Sequence, residues 1–274
     1  MAAVTTSIFP LSALRSMVSN RHLIWQLARR DVLVRYRGSM IGIAWSFVTP
    51  LLMLGIYTFF FTVIFKSHWI IGGATRGSFA TAMFVGLIIY GAFSECASRA
   101  PQLIVANANY VKKIIFPLDV LSVASVMASL FHALIGLIVY ICFMLVFVGS
   151  IPSTLLFFPL ILAPLAVISV ATSWVLGALG VYVRDIGQTV GVLLMVMLYT
   201  SPIFFPMTSV PEKFRAYLNF NPLTFLIEQA RAVLLWGDVP DFHGLLSYML
   251  KALIFAAIAF ALFQKTRRGF ADVL

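Results

Sequence analysis

The chain has 274 residues, 62% of them hydrophobic and 10% charged, against ~45–50% and ~25% in soluble domains. That excess excludes a soluble globular, collagen-like or disordered protein and identifies an integral membrane protein. The net charge is +10, from 19 Lys and Arg against 9 Asp and Glu. The basic residues gather at the ends of apolar runs, so the charge reads as membrane topology and no nucleic-acid partner is expected.

Residues 1–37 lack the continuous apolar core of a signal peptide and carry arginines through their second half. Asn20 to Arg37 reads as an amphipathic helix. Leu23, Leu27 and Val34 share one face, His22, Gln26, Arg29, Arg30 and Arg37 face away, and Asp31 and Arg35 can pair at i,i+4. Such a helix lies in the membrane interface with its arginines toward phosphates.

Gly38 to Phe65 carries no charge and holds a first span at about 40–65, since crossing takes ~20 apolar residues. Gly72 to Gly77 is a glycine-rich turn rather than a phosphate loop. The second span is placed at about 78–98. The uncharged run from Val120 to Val183 is too long for one span, and Gly149-Ser150-Ile151-Pro152-Ser153 breaks it into spans at about 119–148 and 155–182. Spans at about 188–206 and 245–264 complete six, with Lys251 snorkelling from the last. Residues 38–264 form one transmembrane domain and 265–274 a tail. The predicted class is an all-α membrane protein.

Arg15, Arg21, Arg29, Arg30, Arg35, Arg37, Arg99, Lys112, Lys113, Arg184, Lys265, Arg267 and Arg268 fall on one side. Lys66, Arg76, Lys213, Arg215 and Arg231 fall on the other. Both termini are therefore expected in the cytoplasm. Two short outer-face helices are predicted over 209–237. Ser209 and Glu212 read as a capping box for the first, Asn221-Pro222 opens the second and Gly237 closes it. On the second, Leu223, Leu226, Ile227, Ala230, Val233 and Leu234 share a face, and Glu228, Gln229 and Arg231 point elsewhere. The pair either dips into the membrane or lies on it.

Catalytic patterns are missing. There is no GxxxxGK[ST], HExxH, zinc spacing or pair of carboxylates in one span. Cys96 and Cys142 sit in apolar runs and give no disulfide framework. Glu95 and Asp119 read as residues of cytoplasmic span ends, and His132 reads as isolated, with a core hydrogen-bonding role. This argues against a proton-coupled transporter and a cation filter. Gly38-xxx-Gly42 and Gly187-xxx-Gly191 fit close helix packing.

The loop over 99–118 is the most informative. It carries Asn107, Asn109, Tyr110, Lys112, Lys113, Ile115, Phe116 and Pro117, too many apolar residues to face water. It either lies on the membrane or docks into another protein. Among 25 Phe, 9 Tyr and 5 Trp, Trp45, Tyr57, Trp174, Tyr199, Phe204 and Phe205 are candidates to line a path, since aromatic faces stack on sugars.

Arg30 to Trp45, followed by Thr49-Pro50-Leu51, resembles the opening of the permease subunits of type-2 ABC exporters for bacterial surface polysaccharides. Asn107 to Pro117 resembles their coupling segment, Gly180-Val181-Tyr182-Val183-Arg184-Asp185 the end of their fourth span, and Ser201 to Phe205 with Asn221-Pro222 their fifth-span end and outer helices. The resemblance implies an inner-membrane homodimer with two copies of a separate ATP-binding subunit, which would hold ATP and magnesium. It leaves this chain without a cofactor or an enzymatic step. It implies that residues 107–117 seat in the ATPase, that Arg29, Arg30, Arg35 and Arg37 sit near an undecaprenyl-diphosphate headgroup at a gating helix, and that the channel lies between protomers. O-antigen is the expected cargo. Capsular polysaccharide, teichoic acid or a drug in the same superfamily are alternatives, and a membrane-embedded glycolipid enzyme ranks behind them.

Overall fold

A computed structural model describes residues 10–66, 68–71, 74–113 and 116–274. In lipid every backbone N–H and C=O must pair internally, and a helix meets that demand along its own length. Helices accordingly dominate: α1 (Pro10–Ser19), α2 (Arg21–Arg35), α3 (Trp45–Tyr57), α4 (Phe79–Leu103), α5 (Ala108–Lys113), α6 (Asp119–Phe147), α7 (Phe158–Tyr182), α8 (Ile186–Thr200), α9 (Glu212–Asn219), α10 (Pro222–Arg231), α11 (Phe242–Arg267) and α12 (Phe270–Val273).

Among the described residues, five helical stretches are long and apolar enough to cross a bilayer: Gly42–Ile64, Phe79–Leu103, Asp119–Phe147, Ser153–Tyr182 and Phe242–Arg267. The first continues α3 through a π-helical segment, Thr58–Ile64. The sixth apolar helix is shorter than expected. α8 has 15 residues, about 22 Å at 1.5 Å per residue, because Ser201 turns extended before Pro202. The chain also departs from a purely helical reading. β1 (His68–Ile71) and β2 (Ala74–Ser78) form an antiparallel hairpin with Ile71 opposite Ala74 and Ile70 opposite Thr75. The apolar His68-Trp69-Ile70-Ile71 run favours a strand, and Gly72 and Gly73 of the predicted turn lie outside the described residues.

α4 is the central helix. It packs against α6, α7, α8 and α10, and α7 packs in turn on α11. Two apolar clusters form the core. One, at the end carrying the hairpin, gathers Met83, Ile89, Tyr140, Phe158 and Ile161 around α10. The other, at the end carrying α1 and α12, gathers Ile104, Trp174, Phe263 and Phe270. Gly180 permits the close approach of α7 to α4, since a Cβ there would overlap the backbone of Pro101.

The predicted apolar face of α10 is fully buried, from Leu223 to Leu234. It packs on α4 and α7. Asn221 caps the helix by accepting from the Leu223 N–H at 3.0 Å. Gly237 ends the following π-helical segment, Ala232–Trp236, in the left-handed conformation at φ 70°. The carbonyls of Val233 and Leu234 accept from Thr154 and Tyr140, at 2.6 and 2.8 Å.

Three local expectations are corrected. Ser209 does not cap α9: it ends a 3₁₀ turn, and the helix starts at Glu212 behind Pro211. Arg231 does not point away from the core but is 0% exposed. Its Nε donates to the Ala82 carbonyl at 2.9 Å, its Nη2 to that of Ile203 at 3.1 Å, and its Nη1 to that of Pro202 and to Glu228. The Gly-xxx-Gly pairs make no close helix contact within the chain. Gly38 and Gly42 adopt positive φ in the turns before α3, and nothing stands within 4 Å of a Cβ at Gly187 or Gly191.

Candidate functional site

A cavity of about 910 Å³ opens among α2, α3, α4, α6 and α8. Its walls are apolar, with Met53, Tyr57, Leu87, Ile88, Ala133 and Leu194. Asp31, Arg35, Glu95, Arg99 and His132 add charge to the lining. Helical spacing builds this polar part. Glu95 and Arg99 are four residues apart on α4 and share a face, α6 contributes His132, and the last turn of α2 contributes Arg35.

One carboxylate organises the group. Arg35 Nη1 donates to Glu95 Oε1, and Arg99 Nη1 lies 3.7 Å from the same oxygen. His132 Nδ1 stands 3.0 Å from each Glu95 oxygen, and its Nε2 is 3.2 Å from the Tyr36 hydroxyl. A carboxylate only accepts, so Nδ1–H donates to Glu95 and, in the neutral ring, Nε2 accepts from Tyr36. Burial pushes the Tyr36 hydroxyl above its ordinary range, which keeps it a donor. Arg35 Nη1 also lies 3.2 Å from His132 Nδ1, so both crowd the same carboxylate. The Glu95 side chain is 16% exposed and that of Arg35 48%.

The sequence reading missed Glu95 and His132 as partners. α4 runs on past Glu95 to Leu103, so this carboxylate lies inside the helix, and His132 is not isolated. Their signals were a single acid and a single histidine inside long apolar runs. The predicted Asp31–Arg35 pair is replaced: Asp31 pairs with Arg30 at 3.2 Å, and Arg35 reaches across to Glu95 on α4. Arg29 and Arg37 are exposed.

The structure ties a second predicted set to the first. Arg30 Nη1 donates to the Tyr110 hydroxyl at 3.2 Å, linking α2 to α5. The Tyr110 ring stacks on Phe116 at 4.5 Å. Tyr110, Val111 and Phe116 pack on the cluster that holds Phe270 of α12. The chain thus covers part of this loop itself, an outcome outside both predicted readings. Asn107 caps the end of α4 by donating to the Leu103 carbonyl at 2.8 Å, and Asn109 is exposed. Arg267 donates to the Phe116 carbonyl at 2.8 Å, holding the approach to Pro117. Ile115 and the side chains of Lys112 and Lys113 lie outside the described residues.

The aromatic candidates separate. Tyr57 lines the cavity. Trp45 and Tyr199 are exposed, at 38% and 64%, and Tyr199 lies against Phe204 at 5.9 Å. Phe204 and Phe205 are half-buried. Trp174 is buried against Phe260 and donates to the Asp119 carbonyl at 3.1 Å, so it serves packing. No cluster of metal-ligating side chains occurs among the described residues.

The family model described as "ABC-2 type transporter" matches residues 22–235. The O-antigen export system permease protein RfbA of Klebsiella pneumoniae is 28% identical over 260 residues, covering 92% of this chain and 95% of its own length. RfbA of Myxococcus xanthus is 24% identical, covering 94% and 97%. The polysialic acid transport protein KpsM of Escherichia coli is 25% identical, covering 86% and 90%.

Proposed function

We infer, from the premise that this chain belongs to the ABC-2 type transporter family, that it is the multi-pass inner-membrane permease of a type-2 ABC polysaccharide exporter, with O-antigen as its cargo. The observation that carries the cargo is the likeness along nearly the whole chain to permeases named for O-antigen export. In this reading the substrate is linked to undecaprenyl diphosphate. Two copies of the chain work with two copies of an ATP-binding subunit, which hydrolyses ATP. α8, with the apolar stretch after it, completes a sixth span. The end carrying α1 and α12 is cytoplasmic, and α9 and α10 form an outer-face re-entrant pair.

The geometry supports this reading at two places. The cavity joins apolar walls to arginines beside α2, a combination suited to an amphiphile with an anionic head. The α5 segment follows α4 and contacts α2 through Arg30 and Tyr110, so a push on α5 from a partner reaches the helix that borders the cavity. α5 would seat in that partner.

Deleting the gene and running surface and cytoplasmic glycolipids side by side tests the assignment. Loss of long surface polymer, with lipid-linked polymer accumulating inside, is expected, and the polymer's chemistry names the cargo. An unchanged surface profile overturns the polysaccharide reading and leaves a small-molecule exporter of the same superfamily.

A further inference from the structure

Glu95 is placed oddly for a purely structural acid. It lies on the cavity wall, is mostly shielded, and faces Arg35, Arg99 and His132 together. Two guanidinium groups share its single negative charge, and Asp31 of the same lining is paired with Arg30. Counting Arg30 beside the lining, three arginines meet two carboxylates, so this polar end of the cavity carries one net positive charge, and Glu95 neutralises part of it from the wall itself. Arg35 sits on α2 and Glu95 on α4, so this contact joins two elements around the opening.

We propose that Glu95 is an internal counter-ion that occupies Arg35 in the absence of ligand, and that a diphosphate anion entering the cavity displaces it. This deepens the proposed function and rests on it for the identity of the anion as a lipid headgroup. The physical basis is competition for one donor set. The guanidinium fork binds carboxylate and phosphate in the same geometry, and a ligand that must first displace a bound partner shows an affinity reduced by the fraction of sites free. Glu95 so sets a threshold. Weak or singly charged anions fail to displace it, and a diphosphate, with more charge and more acceptor oxygens, succeeds. The released carboxylate keeps Arg99 and His132 as partners, so it is not stranded.

The test uses the purified full-length chain in lipid nanodiscs with three probes: farnesyl diphosphate, farnesol and inorganic pyrophosphate. Removing the competitor with Glu95→Gln tightens farnesyl diphosphate binding about tenfold and leaves farnesol unaffected. Glu95→Asp keeps the charge on a shorter side chain and guards against misfolding of the first variant. It weakens the Arg35 contact and is expected to fall between wild type and Glu95→Gln. Arg35→Gln weakens binding, and adding Glu95→Gln to it restores nothing.

Pyrophosphate binding with the same gain assigns the site to a free anion, and a gain confined to farnesyl diphosphate assigns it to a lipid headgroup. Both outcomes support the exchange. Unchanged or weaker farnesyl diphosphate binding in both Glu95 variants overturns it and leaves the export assignment intact. Failure of every variant, wild type included, to bind either diphosphate overturns the exchange and the lipid-diphosphate part of the proposed function together.

Discussion

At Gly180 the end of α7 comes so close to α4 that a methyl group would overlap the Pro101 carbonyl. Backbone cannot yield as a flexible side chain can, so Gly180→Ala is expected to lose about 1–3 kcal/mol of stability. Gly91→Ala, inside α4, is the matched control. Nothing lies within 4 Å of its Cβ, and alanine in a helix is worth roughly 0.5–1 kcal/mol over glycine. Thermal melts of the two variants in one detergent should move in opposite directions. The pair of buried Arg231 with half-buried Glu228 gives a second residue-scale expectation. Burial outweighs Arg231 and raises the Glu228 carboxyl, while Arg231, lowered to about 10, stays charged at neutral pH. A raised carboxyl favours folding fully below its unfolded value of about 4.3 and loses that contribution as pH rises through the folded value. The stability of wild type relative to Glu228→Gln should therefore fall as pH rises above about 4.3. A rise would mean that attraction to Arg231 outweighs burial. The burial of Arg231 was half legible: it is four residues from Ile227 and so flanks the apolar face of α10, but the carbonyls that receive it come from Ala82, Pro202 and Ile203. Such distant partners leave no trace in local periodicity.

Among the elements, those that follow from uncharged length alone were legible. The spans ending at Phe147 and Tyr182 match the break read at Gly149 to Ser153, and Asn221-Pro222 opens α10 as expected. Those that depend on where a helix stops inside an apolar run were not. The run from Ile186 to Pro211 carries no charge, yet α8 ends at Thr200 because Ser201 precedes a proline. The cavity shows the same division. Arg35 and Tyr57 were named from sequence, whereas Glu95 and His132 gain their role only when α4 and α6 come together. α5 illustrates a third kind of miss. Its apolar residues signalled a need for cover, but part of that cover comes from α12, more than 150 positions away in sequence. Asn109 remains exposed for a partner, and the two lysines that end the helix would supply charge for docking. Reversing both charges, Lys112→Glu with Lys113→Glu, is expected to reduce copurification of the ATP-binding subunit several-fold and to leave the melting temperature of the permease alone within a degree or two. Undiminished copurification with normal export would remove the docking role from this segment.

At the scale of the molecule, burial is uneven. Only 6% of the most apolar stretch of Gly42–Ile64 is buried, against 67% for Phe79–Leu103. α8 likewise leaves Val192, Leu193, Met195 and Val196 exposed. Lipid tails solvate such faces well, so exposure alone does not require a protein neighbour. The residues interspersed with them discriminate. Thr49 and Gly55 on α3, and Gln188, Thr189 and Gly191 on α8, are also exposed. Small and polar side chains are enriched where helices meet in membranes, because they let backbones approach and offer hydrogen bonds that lipid cannot. The exposed part of α11 is mostly Leu246, Leu250, Leu253, Ile254 and Ile258, which suits acyl chains; its exposed Ser247 and Lys251 lie in the first ten residues of the helix, where a lysine can snorkel to the headgroups. A second copy of the chain is therefore expected along α3 and α8, with α11 facing lipid. Single cysteines at Gly55 or Gly191, in a background lacking Cys96 and Cys142, should give a disulfide-linked dimer on mild oxidation in native membranes, and a cysteine at Ile254 should not. Cross-linking at Ile254 without any at the two glycine positions would put the partner on the opposite side and leave the cavity bordered by α3 and α8 open to lipid instead of to a second protomer.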